Sequence, residues 1–262
     1  MDSCMKITGV DLQMSENVEP EHARANVASA LMRNLPQIDL LPETDIPVCI
    51  CGGGPSIEGD LEQIRARWNN GQQVWALNGA HDWLLDRGIT PHAAWCVDSR
   101  PENAKFYKRA CHLTRYYIAC RCDPLVFDTL KGQNVIIWYD ASCREIVPNT
   151  KMLIGGGTTI GVKAMAGAYV LGHRRMHLFG YDSSYADDKH HAYAQPMNDG
   201  EQVLNVEVGG RTFRAAPWMI NQVKNFGMIS QKLAEGDCEV HVHGDGLLPW
   251  AAREMQMQME AA

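Results

Sequence analysis

Residues 46–56 read IPVCICGGGPS. A short apolar run, partly β-branched, ends in three consecutive glycines and a proline. Ile46 to Cys51 has the length and composition of a buried strand, and Gly52-Gly53-Gly54 is the turn that stops it. Proline is tolerated at the first position of a helix, where its missing N–H would have no partner. Pro55 to Trp68 therefore reads as a helix. A strand that passes through a glycine turn into a helix is the first half of a βαβ unit.

The same alternation continues outward. Strands are expected at Val74–Leu77, His92–Val97, Tyr116–Cys120 and Val135–Tyr139, with helices at Ala80–Arg87, Pro101–Ala110 and Pro124–Lys131. It then repeats strongly. Lys151–Ile154 runs into Gly155-Gly156-Gly157-Thr158-Thr159, the small-residue helix GVKAMAGAYVL (161–171) follows, and Arg175–Phe179 is the next strand. Strands alternating with helices predict an α/β fold: a Rossmann-like, doubly wound, mostly parallel sheet with helices on both faces. Asp182 to Gly200 is polar and without period, as binding loops and lids are. Val203–Phe213 carries Gly209-Gly210 between two alternating segments and predicts a small β-hairpin insertion. Trp218–Leu233 reads as a helix and Glu239–His243 as a last strand. The expected organisation is a helical lead-in over 1–45, a nucleotide-binding catalytic domain over 46–245 with a lid at 183–200 and a hairpin at 203–214, and a tail over 246–262.

Composition narrows the function. The 262 residues carry 24 Lys+Arg against 31 Asp+Glu, a formal net charge of -7. A general nucleic-acid binder would show a basic face, so none is expected. No apolar run approaches the roughly 20 residues that span a bilayer, and the polar N-terminus lacks a signal-peptide pattern. A cytoplasmic protein follows, with a homo-oligomer left open. The nine cysteines include two C-x-C pairs, at 49/51 and 120/122, not the C-x2-C of zinc modules. They read as free buried thiols in a reducing compartment.

Two glycine turns, each between a strand and a helix, are the candidate anion sites. Glycine lets backbone approach a ligand closely, and a helix N-terminus offers free N–H groups. Neither turn is G-x-G-x-x-G with a later acidic residue, nor a P-loop ending in Lys-Ser/Thr. Tight strand–helix packing is the structural alternative. In open α/β sheets ligands bind outside the carboxyl ends of strands, so Asn78, Asp98 and Asp182 should share one rim beside the turns. Such an Asn can read a base or ribose, and such an Asp can bind ribose or magnesium or merely cap a helix. His190 and His191 in the lid could supply a general base. His241 and His243 alternate on a strand and read as structural.

The segments ICGGGPS (50–56), ALNGAHDWLLDRGITPHAAWCVDSRPE (76–102) and GGGTTIGVKAMAGAYVLGHRRMHLFGYDSSY (155–185) resemble the MptE-like family. That family takes in archaeal 6-hydroxymethylpterin diphosphokinases and the central domain of motility accessory factors. The order of motifs is also similar to bacterial sialyltransferases of the Rossmann-like type. The resemblance implies that Gly52, Gly54, Pro55 and Ser56 line nucleotide phosphates and that Asn78 contacts the nucleotide. It implies a second cradle at Gly156, Gly157 and Thr158, acidic strand ends at Asp98 and Asp182, and a lid base at His191 with His190 as its alternative. The activity implied is a nucleotide-dependent transferase. In the glycosyltransferase-like version a sugar nucleotide donates to a hydroxyl acceptor. In the diphosphokinase version ATP, with magnesium on Asp98 and Asp182, donates to a pterin-like alcohol. A third reading is a member that binds a nucleotide without turnover. Asp98 is followed by Ser-Arg-Pro-Glu, where the diphosphokinase branch favours further acidic residues nearby.

Overall fold

The computed structural model describes residues 5–7, 18–195 and 200–260. The lead-in over 8–17 and the lid residues 196–199 lie outside them. The chain begins with strand β1 (Met5–Ile7) and helix α1 (Pro20–Leu31). The alternating part runs β2 (Val48–Cys51), α2 (Leu61–Asn69), β3 (Gln73–Leu77), α3 (Ala80–Asp86), β4 (Ala93–Cys96), β5 (Arg115–Ala119), α4 (Pro124–Thr129), β6 (Asn134–Asp140), β7 (Leu153–Ile154), α5 (Ile160–Val170) and β8 (Arg175–Phe179). Then come β9 (Leu204–Val208), β10 (Arg211–Ala215), α6 (Pro217–Ala234), β11 (Glu239–Val242) and α7 (Leu247–Glu260).

Eight strands form one sheet in the order β11-β8-β2-β3-β4-β5-β6-β7, paired in parallel throughout. Strands buried on both faces carry continuous apolar runs, and β2 and β4 are buried along their whole length. From β2 the chain winds steadily to β7 and then returns to the other side of β2 with β8. That reversal makes the crevice between β2 and β8 the topological switch point.

Two expected helices take a tighter form. Pro55–Glu58 and Pro101–Tyr107 are 3-10 turns, and α2 starts only at Leu61, after Gly59 and Asp60. The expected hairpin is present as β9–β10, and β1 adds to it antiparallel to make a three-stranded sheet. Its alternate residues Val206, Val208 and Phe213 are buried.

Both terminal segments pack onto the strand ends. On α1 the buried Asn26 donates its amide to the carbonyls of Ser99 and Arg121, the loops after β4 and β5. At the start of α7, Leu248 N–H reaches the Asp182 carbonyl, and Leu247 N–H the Ser184 hydroxyl. Cys49, Cys51, Cys96, Cys120, Cys122 and Cys143 are free and buried. Among the described residues no helix is long and apolar enough to cross a membrane.

Candidate functional site

The two strands at the switch point are laced together by their glycines. Gly52 N–H donates to the Phe179 carbonyl and Gly54 N–H to the Gly180 carbonyl, each at 2.8 Å. A Cβ on Gly52 would lie 2.6 Å from the Gly180 oxygen, and one on Gly54 would meet Asp182 Oδ2 and come within 2.7 Å of the same Gly180 oxygen. Glycine is required at both positions because neighbouring backbone and a carboxylate occupy the space. Asp182 in turn accepts from the Ser56 N–H and hydroxyl, at 3.1 and 3.0 Å. Pro55 opens this 3-10 turn.

A cleft of about 530 Å³ extends from this point along the carboxyl ends of β2 to β6 and under the N-terminus of α5. Gly52, Gly54, Asn78, Asp98, Gly157, Thr158, His190 and His191 all line it. Pro55, Ser56, Gly156 and Asp182 are not among its lining residues; Ser56 and Asp182 bind each other instead. The second glycine turn is conformationally demanding: Gly156 and Gly157 have φ of 109° and 138°, where side chains are rarely found.

Several polar groups of the cleft have no partner. Asn78 Oδ1, Thr159 Oγ1, Ser183 Oγ, His190 Nε2, His191 Nδ1 and Gln195 Oε1 are buried without a hydrogen bond. Buried polar atoms are nearly always satisfied, and six without a partner lie in this one cleft. Asn78 and Ser183 also hold left-handed backbone, with φ of 48° and 51°. Such strain at non-glycine residues concentrates at functional sites.

The lid lies over the first turn. Ala192 N–H donates to the Gly53 carbonyl at 2.9 Å, and a Cβ on Gly53 would come within 2.5 Å of the His191 ring. Tyr193 and Trp218 flank that ring, at centroid distances of 5.5 and 6.4 Å. Burial, with a smaller push from His190, lowers the His191 pKa to about 3. Burial therefore favours the neutral imidazole.

Three cations line the same cleft. Arg100 grips both oxygens of Asp98, with Nε at 3.1 Å from each and Nη2 at 2.5 Å from Oδ2. Arg121 donates to the hydroxyls of Ser99 and Ser142. Lys163, on the first turn of α5, donates to Asp140 Oδ1 at 2.7 Å and is 4% exposed. Local sequence does not bring these three together, because they sit after different strands and converge only through the strand order. One local signal existed: Lys163 is a charge inside an otherwise apolar helix.

Magnesium on Asp98 and Asp182 does not fit this arrangement. Both oxygens of Asp98 are held by Arg100, and Asp182 Oδ2 is held by Ser56 outside the cleft lining. Among the described residues no cluster of three or more acidic, His or Cys side chains could hold a metal ion. His177 and His243, 3.2 Å apart, and His241 share one end of the sheet away from the cleft.

A sequence model of the family described as 6-hydroxymethylpterin diphosphokinase MptE-like matches residues 22–188. The chain belongs to the MptE-like family. The match takes in both glycine turns, Asn78, Asp98 and Asp182, and ends before the lid histidines of this MptE-like chain. No curated protein matches it. Its fold is shared with the MAf glycosyltransferase from Magnetospirillum magneticum AMB-1, at a TM-score of 0.66 and 18% identity. The likeness covers 95% of this chain and 43% of that one, so the MptE-like chain spans less than half the length of that protein.

Proposed function

We propose that this MptE-like chain is a nucleotide-dependent, glycosyltransferase-like transferase that moves a group from a nucleotide-activated donor to a hydroxyl acceptor. The observation that carries this reading is the set of unpartnered polar atoms at Asn78, Thr159, Ser183 and His191 in one switch-point cleft. In α/β sheets that crevice is where nucleotides lie. The N-terminus of α5, reached through Gly157, Thr158 and Thr159, suits the phosphates of the donor. Asn78 suits its base or ribose.

In the reaction the bond between the transferred group and the donor phosphate oxygen breaks, and its electron pair stays on that oxygen. The acceptor oxygen forms the new bond. His191 Nδ1, neutral and unpartnered, takes the acceptor's proton. Its imidazole is a weak base while buried without an anion. A phosphate bound beside it would stabilise the imidazolium and raise its pKa. The lid excludes water, which would otherwise consume the donor.

The diphosphokinase reading has the family description in its favour. The Asp98–Arg100 and Asp182–Ser56 contacts weigh against it, because Arg100 holds both oxygens of Asp98 and Ser56 holds one oxygen of Asp182 outside the cleft lining. Calorimetric titration with a panel of nucleotides and sugar nucleotides, in chelator and in magnesium, separates the two. Binding of a sugar nucleotide in chelator is the expected result. Binding of ATP alone, and only with magnesium, would overturn the proposal.

A further inference from the structure

The phosphates of a nucleotide donor are negative and call for cations and N–H donors around them. We infer that Lys163, held by Asp140 in the floor of the cleft, is the fixed cation that binds the donor's phosphates, and that no divalent ion is needed there. This inference rests on the nucleotide reading above and deepens it.

Lys163 lines the cleft yet is 4% exposed, and Asp140 is fully buried. An ammonium has three N–H donors, and Lys163 gives one to Asp140 Oδ1. Asp140 Oδ1 also accepts from the Ser142 N–H, which fixes the carboxylate at the end of β6. Its other oxygen, Oδ2, has no partner. A buried ion pair rarely adds stability over an apolar pair of the same volume. Stability alone is thus a weak account of the pair. Because Asp140 holds the side chain in place, little rotamer freedom is lost when an anion arrives. Lys163 also stands one turn into α5, so its charge and the free N–H groups of that helix start act on the same space. Ser183, 8% exposed with its hydroxyl unpartnered, lines the cleft as well. A short chain of phosphate oxygens would satisfy these donors. Charge-assisted contacts of this kind are among the strongest hydrogen bonds.

The test uses the full chain and inorganic pyrophosphate as the probe, with binding followed by calorimetry in chelator. Lys163→Met alone would leave Asp140 as an unpaired buried charge, so the informative variant is the double change Asp140→Asn with Lys163→Met. The parent should bind pyrophosphate in chelator, with no tightening on addition of magnesium. Lys163→Arg should stay within a few fold of the parent. The double variant, if its melting matches the parent, should bind at least 10-fold more weakly. Parent-like binding by the double variant would overturn the inference, as would a parent that binds only with magnesium. Should the double variant fail to fold, the 15N signal of the Lys163 ammonium in the parent decides: it should move when pyrophosphate is added, and an unmoved signal overturns the inference. A parent that binds a nucleotide but not pyrophosphate in chelator defeats the role of Lys163 alone. A parent that binds neither defeats the nucleotide reading with it.

Discussion

Ser56 gives both its backbone N–H and its hydroxyl to a single oxygen of Asp182, at 3.1 and 3.0 Å, across 126 residues of sequence. This contact ties the loop after β2 to the loop after β8 at the point where the strand order reverses. Asp182 is 5% exposed, and burial raises its pKa against the pull of the two Ser56 hydrogen bonds. It acts as a structural clamp. Asp182→Ala should destabilise the fold by about 2–3 kcal/mol, since hydrogen bonds to a charged group contribute about 1.5–3 kcal/mol. Asp182→Asn, which keeps an acceptor oxygen, should cost about 1 kcal/mol or less. Urea denaturation of both variants measures the difference. Equal losses would mean that the charge of Asp182, and not the hydrogen bonds, holds the loops.

The glycines of the first turn should separate by role. A methyl on Gly54 strikes Asp182 and the Gly180 carbonyl, neither of which can move without opening the β2–β8 junction. Gly54→Ala should therefore cost about 1–3 kcal/mol, as overpacking does. The atoms nearest a methyl on Gly53 belong to the side chains of His191 and Tyr193 in the lid. Gly53→Ala should leave the melting temperature near the parent's and raise the His191 pKa as the ring moves into water. Thermal melts and NMR titration of the histidines check the pair.

How much of this was legible beforehand differs between the sheet and the site. The strand of residues 48–51 announced itself because a parallel strand is apolar on both faces and Gly52 stops it. The same logic found β3, β4, β5, β6 and β8, and with them Asn78 and Asp98 on the cleft rim. The 3-10 turns at Pro55 and Pro101 look like helix starts in the sequence, since proline opens either form and the difference lies in one hydrogen-bond step. Strand β1 has three residues, too few to show a period. The Ser56–Asp182 clamp and the convergence of Arg100, Arg121 and Lys163 depend on strand order, which local pattern does not encode.

Stability should fall as the solution is made acid. Burial lowers the pKa of His81, His92, His173, His177, His191 and His243, with His177 at about 3 and His243 at about 4. A histidine with a lowered folded pKa takes its proton more readily in the unfolded chain. Its contribution is complete only well above pH 6.5 and is lost as pH drops toward the folded value. Asp60 and Asp182, raised by burial, act in the opposite sense, but they are two against six. Denaturation midpoints should fall from pH 8 to 6.5, where the unfolded histidines are half-protonated, and fall further from 6.5 to 5. A flat profile would mean that the histidines are not desolvated in solution.

The lid histidine gives the most direct test of the chemistry. His191 is buried against Gly53, between Tyr193 and Trp218, with Nδ1 unpartnered and a pKa of about 3. The pH dependence of kcat/KM reports the free enzyme, and that of kcat reports the donor complex. With His191 as base, kcat/KM should show no acid limb from this residue between pH 5 and 7. The kcat profile should show one, because a bound phosphate raises the imidazole pKa. The two profiles must therefore separate, with the kcat limb at the higher pH. His191→Ala should lower kcat by about 100-fold or more while leaving donor affinity nearly unchanged, as loss of a general base does. The acid limb of kcat should vanish with it. His190 also lines the cleft with Nε2 buried and unpartnered, so His190→Ala is the control: with His191 as the base it should change both far less. Full activity in His191→Ala would remove this residue from the reaction. Loss of donor binding with kcat intact would make it a wall of the site and leave the proton to another group.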